Sequence, residues 1–408
     1  MAKPEIKVYG YRWVVLFIFA VINAVMQLQW LTFAPIAREA RLVYNVSAMQ
    51  IDFLSMIFML VFLVVCIPAS YVIDTYGIRK GVGFGALLVG IFGLMKGIYA
   101  LNYTLVVVAQ IGLAVAQPFI LNATTRVAVN WFPIQERATA VGIAILSQFL
   151  GIIAVMIATP LLVTQNAEGL YQIQNVFMLY GIISVFTALL VVAFLREKPI
   201  TPPDTQDQDE RFKVFEGLAH ILRKKDMILM LILFFIGLGM FNAISTCIDQ
   251  VCQEKGLTIE QTGLVGAMML IAGIVGAIFL PPLSDKFRKR KNFLILGMVG
   301  MTPGLVGLTF AGSYTILLVS SFVFGFFLLG ACAPVGFQYC AEVSYPAPES
   351  TSQGLMLLAG QISGIIFIVG MNMVGMIPFM VLYIALAVVT IVITFIIKES
   401  PMILSAGG

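Results

Sequence analysis

The sequence predicts an all-α membrane protein of twelve transmembrane helices in two pseudo-symmetric six-helix bundles. Three observations predict it. Of 408 residues, 60% are hydrophobic and only 11% are charged, against about 25% charged in soluble globular chains. The apolar residues fall into about twelve runs of twenty-odd residues, and about 20 helical residues cover the roughly 30 Å of a bilayer core. Motifs of the first half also return in the second at nearly constant spacing.

The expected spans are 13–36, 49–73, 81–101, 104–125, 138–163 and 173–195, then 227–250, 260–283, 292–311, 314–340, 353–377 and 378–397. The start, MAKPEIKVYGYRW, lacks the small-residue cleavage site of a secretory signal, so the first run reads as a retained helix. With both termini in the cytoplasm, about twenty of the 24 basic residues lie on that side. Arg38, Arg41 and Lys255 fall in outer loops and Lys96 within a span. This orientation implies a multi-pass protein of the cell membrane, expected as a monomer. The net charge of +4 is spread over short loops, which argues against a nucleic-acid partner. Five cysteines match no zinc spacing, and no metal or cofactor is expected.

One polar island, Arg196 to Asp226, divides the chain. The expected organisation is a bundle over 1–195, a cytoplasmic linker over 196–226 and a bundle over 227–408. Pro199 to Glu210 reads as a solvated tether. Phe212, Phe215, Leu218, Ala219 and Leu222 recur at helical spacing and predict a helix lying on the membrane surface. A plain connector accounts for the island; a regulatory docking site is the alternative.

The repeats are specific. Asp74-Thr-Tyr-Gly-Ile-Arg79-Lys80 follows the second run and Asp285-Lys-Phe-Arg-Lys-Arg290-Lys291 the eighth. Gln148-Phe-Leu-Gly151-Ile-Ile echoes Gln361-Ile-Ser-Gly364-Ile-Ile, and Pro118 with Arg126 echoes Pro334 with Glu342. The three offsets are about 211, 213 and 216 residues, which predicts two homologous halves related by a pseudo-two-fold axis along the membrane normal. Two six-helix halves with an Asp…Gly…Arg-Lys turn after the second helix resemble the major facilitator superfamily. The resemblance implies alternating access of a substrate site near the midplane.

Charges inside spans default to function. Asp52 and Lys96 lie near the outer ends of the second and third spans, where an ion pair is expected; snorkelling of Lys96 is the alternative. Asp74, Arg79, Arg126, Asp285, Arg290 and Glu342 gather at the inner ends, where they predict a cytoplasmic gate or, more simply, solvated helix ends. No carboxylate lies deep in the first, fourth, fifth, seventh or eleventh span, and the single histidine, His220, is in the linker. Facilitated transport is therefore favoured over proton coupling, with sodium coupling left open. The deep polar groups are amides: Gln27, Gln117, Asn122, Gln148, Asn242 and Gln361. Each alone suggests an interhelical hydrogen bond. Together they predict a polar substrate cavity, to which Trp30 adds a π face for a cation or merely packing.

A closer resemblance rests on Tyr9-Gly-Tyr-Arg-Trp-Val-Val, Asn23-Ala, Ile51-Asp-Phe-Leu-Ser-Met56, Ala116-Gln-Pro-Phe-Ile-Leu121, Trp131-Phe and Gln148-Phe-Leu-Gly151. In the second half it rests on Ser245-Thr246, Ser344-Tyr-Pro346, Glu349-Ser-Thr-Ser352 and Gly360-Gln361. These segments resemble the feline leukaemia virus subgroup C receptor-related transporters. The resemblance implies a largely facilitative carrier of choline or ethanolamine, or of haem, and puts Gln117 and Gln361 at the family's cavity glutamines. Gln27 and Asn242 stand where its choline-transporting members have aromatic cage walls, which implies a more polar substrate or a different cage centred on Trp30. The competing readings are a proton-driven exporter, an organic-anion porter and a non-transporting receptor. The first lacks its Gly-Pro signature in the fifth span, and the second lacks a mid-depth arginine or lysine, to which only Lys96 comes close. No nucleophile–base pair stands out, which argues against an enzyme.

Overall fold

A computed structural model describes residues 9–166, 171–201, 220–345 and 349–400. Among these residues, 12 helices are long and apolar enough to cross a membrane. The first span runs over Tyr11–Trp30 and continues through a 3-10 turn, Ala34–Ile36, into a short helix, Ala37–Tyr44. Pro35 sits at the start of that turn, which is why the straight run expected to residue 36 breaks at Leu31. The second to sixth spans are Ala48–Tyr76, Ile78–Ile98, Tyr103–Leu121 with Thr124–Trp131, Ile134–Leu162 and Ile173–Phe194. The seventh is Lys225–Thr246, followed after a break at Cys247 by Ile248–Gln253. The eighth and ninth are Ile259–Phe287 and Arg290–Phe310. In the tenth, a π-turn, Leu328–Cys332, joins Tyr314–Phe327 to Ala333–Ser344. The last two are Glu349–Val374 and Met376–Ile396. Their boundary falls at Gly375, whose φ of 109° suits glycine, about two residues before the expected one.

The chain forms two compact units, Met1–Asp207 and Gln208–Gly408. The surface helix expected over Phe212 to Leu222 lies almost wholly outside the described residues; residues 220–223 are helical.

Each unit has the same internal plan. The first span packs on the fifth, the second on the fourth, and the third on the fourth and sixth. In the second unit the seventh packs on the eleventh, the eighth on the tenth, and the ninth on the tenth and twelfth. Local chemistry repeats too. Ser47 and Gln50 form a capping box at the start of the second span, and Thr258 and Gln261 form one at the start of the eighth. Each supplies partners to two backbone N–H groups that a helix start leaves unpaired. Both helices are 29 residues long and end at a residue of positive φ, Gly77 and Arg288.

Outside the spans, the Lys255 ammonium donates to the carbonyls of Thr309 and Ala311 at 2.8 and 3.0 Å, which satisfies the end of the ninth span. Burial holds its pKa below the usual lysine value.

Candidate functional site

Two of the deep amides of the first unit, Gln27 and Gln148, form one chain of hydrogen bonds with Asn23. Asn23 Nδ2 donates to the Phe19 carbonyl at 2.8 Å. Gln148 Nε2 donates to Asn23 Oδ1, and Gln27 Nε2 donates to Gln148 Oε1, both at 3.3 Å. The helices carrying them approach closely because Gly151, one turn beyond Gln148, lies against the Ala24 backbone. The chain ends on Gln27 Oε1, which is sealed from solvent and meets no donor. Sequence reasoning singled out Gln27 and Gln148 but missed that Asn23 orders them.

Gln117 is only 5% exposed, yet its side chain has no hydrogen-bond partner among the described residues. Its amide atoms are not among those sealed from solvent, so they retain access to open space. Asn122 is placed differently. Its amide nitrogen donates to Ser70 Oγ at 2.9 Å and to the Cys66 carbonyl at 3.1 Å, tying the fourth span to the second. Trp30 is likewise held, buried with its indole N–H on the Ser55 carbonyl at 3.1 Å. Both act first as ties between helices.

The Asp52–Lys96 ion pair is not formed. Lys96 is fully buried and donates to the Gln29 carbonyl at 3.2 Å and to Thr32 Oγ1 at 3.1 Å. Its ammonium lies 5.8 Å from the ring centroids of both Phe33 and Phe177. The break after Trp30 brings the Gln29 carbonyl, the Thr32 hydroxyl and the Phe33 ring over the end of the third span. They supply acceptors and a π face in place of a carboxylate. Asp52 is buried as well.

In the second unit, Asn242 Nδ2 donates to the Gly360 carbonyl at 3.2 Å, joining the seventh span to the eleventh. Its Oδ1 has no partner among the described residues. Gln361, half-buried beside Gly360, has no hydrogen-bond partner there either.

The charges at the linker-side end behave unequally. In the second unit Arg290 lies between Asp285 and Glu342, and its Nη2 is 3.0 Å from Glu342 Oε1. Arg290 and Glu342 are 10% and 7% exposed at the side chain. Gln338 and Ser400 also donate to Glu342. In the first unit Arg126 reaches Asp74 only at 4.0 Å, and the Arg79 side chain is exposed. What holds that turn is Glu197, which accepts the Arg79 backbone N–H at 2.8 Å. Glu399 does the same for Arg290 and Lys291, at 2.9 and 3.1 Å. A carboxylate on a helix N-terminus meets unpaired N–H groups and the positive end of the dipole. The signal was in the sequence, as Glu197-Lys-Pro199 and Glu399-Ser-Pro401 after the last span of each half. Asp74 and Asp285 are 67% and 63% exposed. Asp74→Asn and Asp285→Asn are therefore each expected to cost about 1 kcal/mol or less. Thermal unfolding in detergent checks this, and a larger loss would put the aspartate in the buried part of its cluster.

The choline/ethanolamine transporter FLVCR1 of Felis catus is 31% identical over 89% of this chain and 68% of its own. The choline/ethanolamine transporter FLVCR2 of Homo sapiens is 27% identical over 90% and 73%. An uncharacterised MFS-type transporter of Caenorhabditis elegans is 29% identical over 89% of this chain, which spans 64% of that protein's length. Among solved structures, a bacterial homologue of the human lysosomal transporter Spinster aligns with a TM-score of 0.77 at 15% identity, over 96% of this chain and 97% of its own. A D-xylose-proton symporter aligns at 0.70 and 14%, over 96% and 99%. These two show the fold. The family model of the Major Facilitator Superfamily matches residues 12–368 and 248–403, and the chain belongs to that superfamily of membrane transporters.

Proposed function

We propose that this transporter carries a small polar organic solute, an amine or amino alcohol of the choline and ethanolamine class, by facilitated alternating access. The observation that supports this reading best is the pair of unpartnered amides, Gln117 and Gln361. An amide withdrawn from solvent without a protein partner, almost fully as Gln117 is or partly as Gln361 is, carries a desolvation cost that a ligand removes. Gln27 and Asn242 supply further hydrogen bonds, and the names of the relatives point to the same solutes. The charged clusters at the linker-side ends act as the gate, on the cytoplasmic side of the cell membrane, in a protein that works as a monomer.

The test is binding of ethanolamine and choline to the purified chain, read as thermal stabilisation. Gln117→Ala and Gln361→Ala are each expected to weaken binding by about 5- to 150-fold, the range of one unmade buried hydrogen bond. Stabilisation by haem and by neither amine would overturn the reading, as would variants that bind the amines unchanged.

A further inference from the structure

We infer that Gln27 makes this transporter select ammonium groups that still carry an N–H bond over quaternary ammonium. The inference rests on the amine reading above and deepens it.

The direction of the amide chain follows from chemistry. The Phe19 carbonyl can only accept, so the group of Asn23 that faces it is the nitrogen, at 2.8 Å. Asn23 therefore turns its oxygen to Gln148, which must donate through Nε2. Gln148 in turn presents Oε1 to Gln27, which must also donate. Gln27 has then committed one N–H of its nitrogen, and the atom left without any partner is the acceptor Oε1. Reversing any one amide would set two oxygens or two nitrogens face to face. The leftover Oε1 is buried on a residue only 5% exposed and has no donor. Asn242 repeats the logic in the second unit. The Gly360 carbonyl claims its nitrogen, and Oδ1 remains without a partner among the described residues.

Two interior amides are thus fixed as acceptors by the backbone carbonyls of Phe19 and Gly360. A primary ammonium stripped of water needs acceptors for its N–H bonds, and a carbonyl oxygen supplies one without adding a charge. A quaternary ammonium has no N–H to give. Bound beside Gln27, it would leave Oε1 unpaired. A site built to hydrogen-bond a donor rejects an analogue that lacks it more strongly than one that differs only in size.

The experiment is a methylation series on the purified full-length chain: ethanolamine, N-methylethanolamine, N,N-dimethylethanolamine and choline, by titration calorimetry. All four are cations at neutral pH and keep the hydroxyl, and only choline lacks an N–H. The first three should bind with similar affinity and choline about 5- to 150-fold more weakly, with the step at the last methyl. In Gln27→Met that step should fall to about 2-fold or less, since the acceptor is gone. Choline binding as tightly as dimethylethanolamine would overturn the inference and leave the amine reading standing. So would an even decline with each methyl, which marks size. A step that survives in Gln27→Met assigns the selectivity to another residue and also overturns it. Binding of none of the four would sink the amine reading and the inference together. If Gln27→Met does not fold, Gln27→Leu, which removes the same acceptor, carries the same comparison, and a step that survives there overturns the inference.

Discussion

Replacing Arg290 by alanine is expected to destabilise the second unit by about 3–5 kcal/mol, the range for removing one partner of a buried ion pair. Arg290 and Glu342 are 10% and 7% exposed at the side chain. Without the guanidinium, the Glu342 carboxylate keeps Gln338 and Ser400 as donors but loses its only cation among the described residues. Asp285, 63% exposed, falls back on water. The cost therefore lies with Glu342, and Glu342→Gln in an otherwise unaltered chain should cost less, because Arg290 keeps Asp285 and the Ser284 hydroxyl. The double variant Arg290→Met with Glu342→Leu should recover a large part, because two apolar side chains leave no buried charge unpaired. Thermal unfolding in detergent of the unaltered chain, Arg290→Met, Glu342→Leu and this double variant forms the cycle. A double variant no more stable than the singles would show that the charges matter through their geometry. In the first unit it is Arg126, not Arg79 at the position equivalent to Arg290, that faces the aspartate, and Arg126→Ala should be mild, because Asp74 is 4.0 Å away and mostly in water.

The fold was largely legible because bilayer thickness fixes span length and because the halves repeat. The expected limits 49–73 and 260–283 fall inside the observed Ala48–Tyr76 and Ile259–Phe287. Departures occur where backbone chemistry overrides hydropathy. Pro35 ends the first span's straight run, and the fourth span breaks after Pro118. Gly375 sets the last boundary. The π-turn in the tenth span lies in an unbroken apolar run and left no mark on the pattern.

The polar residues of the candidate site were legible in type and depth, but their pairing was not. The depth of an amide can be read from its place in a span; the face it turns cannot. Gln117 and Gln361 make no hydrogen bond among the described residues and Gln27 keeps its oxygen free; Asn242 and Asn122 each tie two spans through the nitrogen and keep the oxygen, and Trp30 is drawn into a tie with the second span. Lys96 shows the limit of reasoning from opposite charges. The break after Trp30 supplies two oxygens and a phenyl face where a carboxylate was expected. Such a break is a tertiary feature that span counting does not contain. Glu197 and Glu399 were overlooked because each follows a span, where an acidic residue looks like an ordinary solvated end.

Gly151→Ala should couple stability to binding more directly than any other single change. The added Cβ would lie 2.7 Å from the Ala24 carbonyl carbon and closer still to its oxygen. Backbone cannot rotate away as a side chain can, so the fifth span must shift from the first. Overpacking of this kind costs about 1–3 kcal/mol. The shift also acts one turn away, where Gln148 meets Asn23 and Gln27 at 3.3 Å. Those bonds are near the long end of the useful range and have little slack. A displacement of about 1 Å would part them, and misplacement on that scale can cost about 100-fold at a binding or reacting group. Gly151→Ala is therefore expected to lower the unfolding temperature and weaken ethanolamine binding by about 100-fold, with the selectivity against choline reduced because Gln27 is no longer oriented. Gly142→Ala is the control. It lies in the same helix with nothing within 4 Å of the added Cβ, and there alanine is if anything the better helix former. If Gly151→Ala loses stability but binds ethanolamine and rejects choline as before, the amide chain has no part in recognition and only the packing role of Gly151 survives.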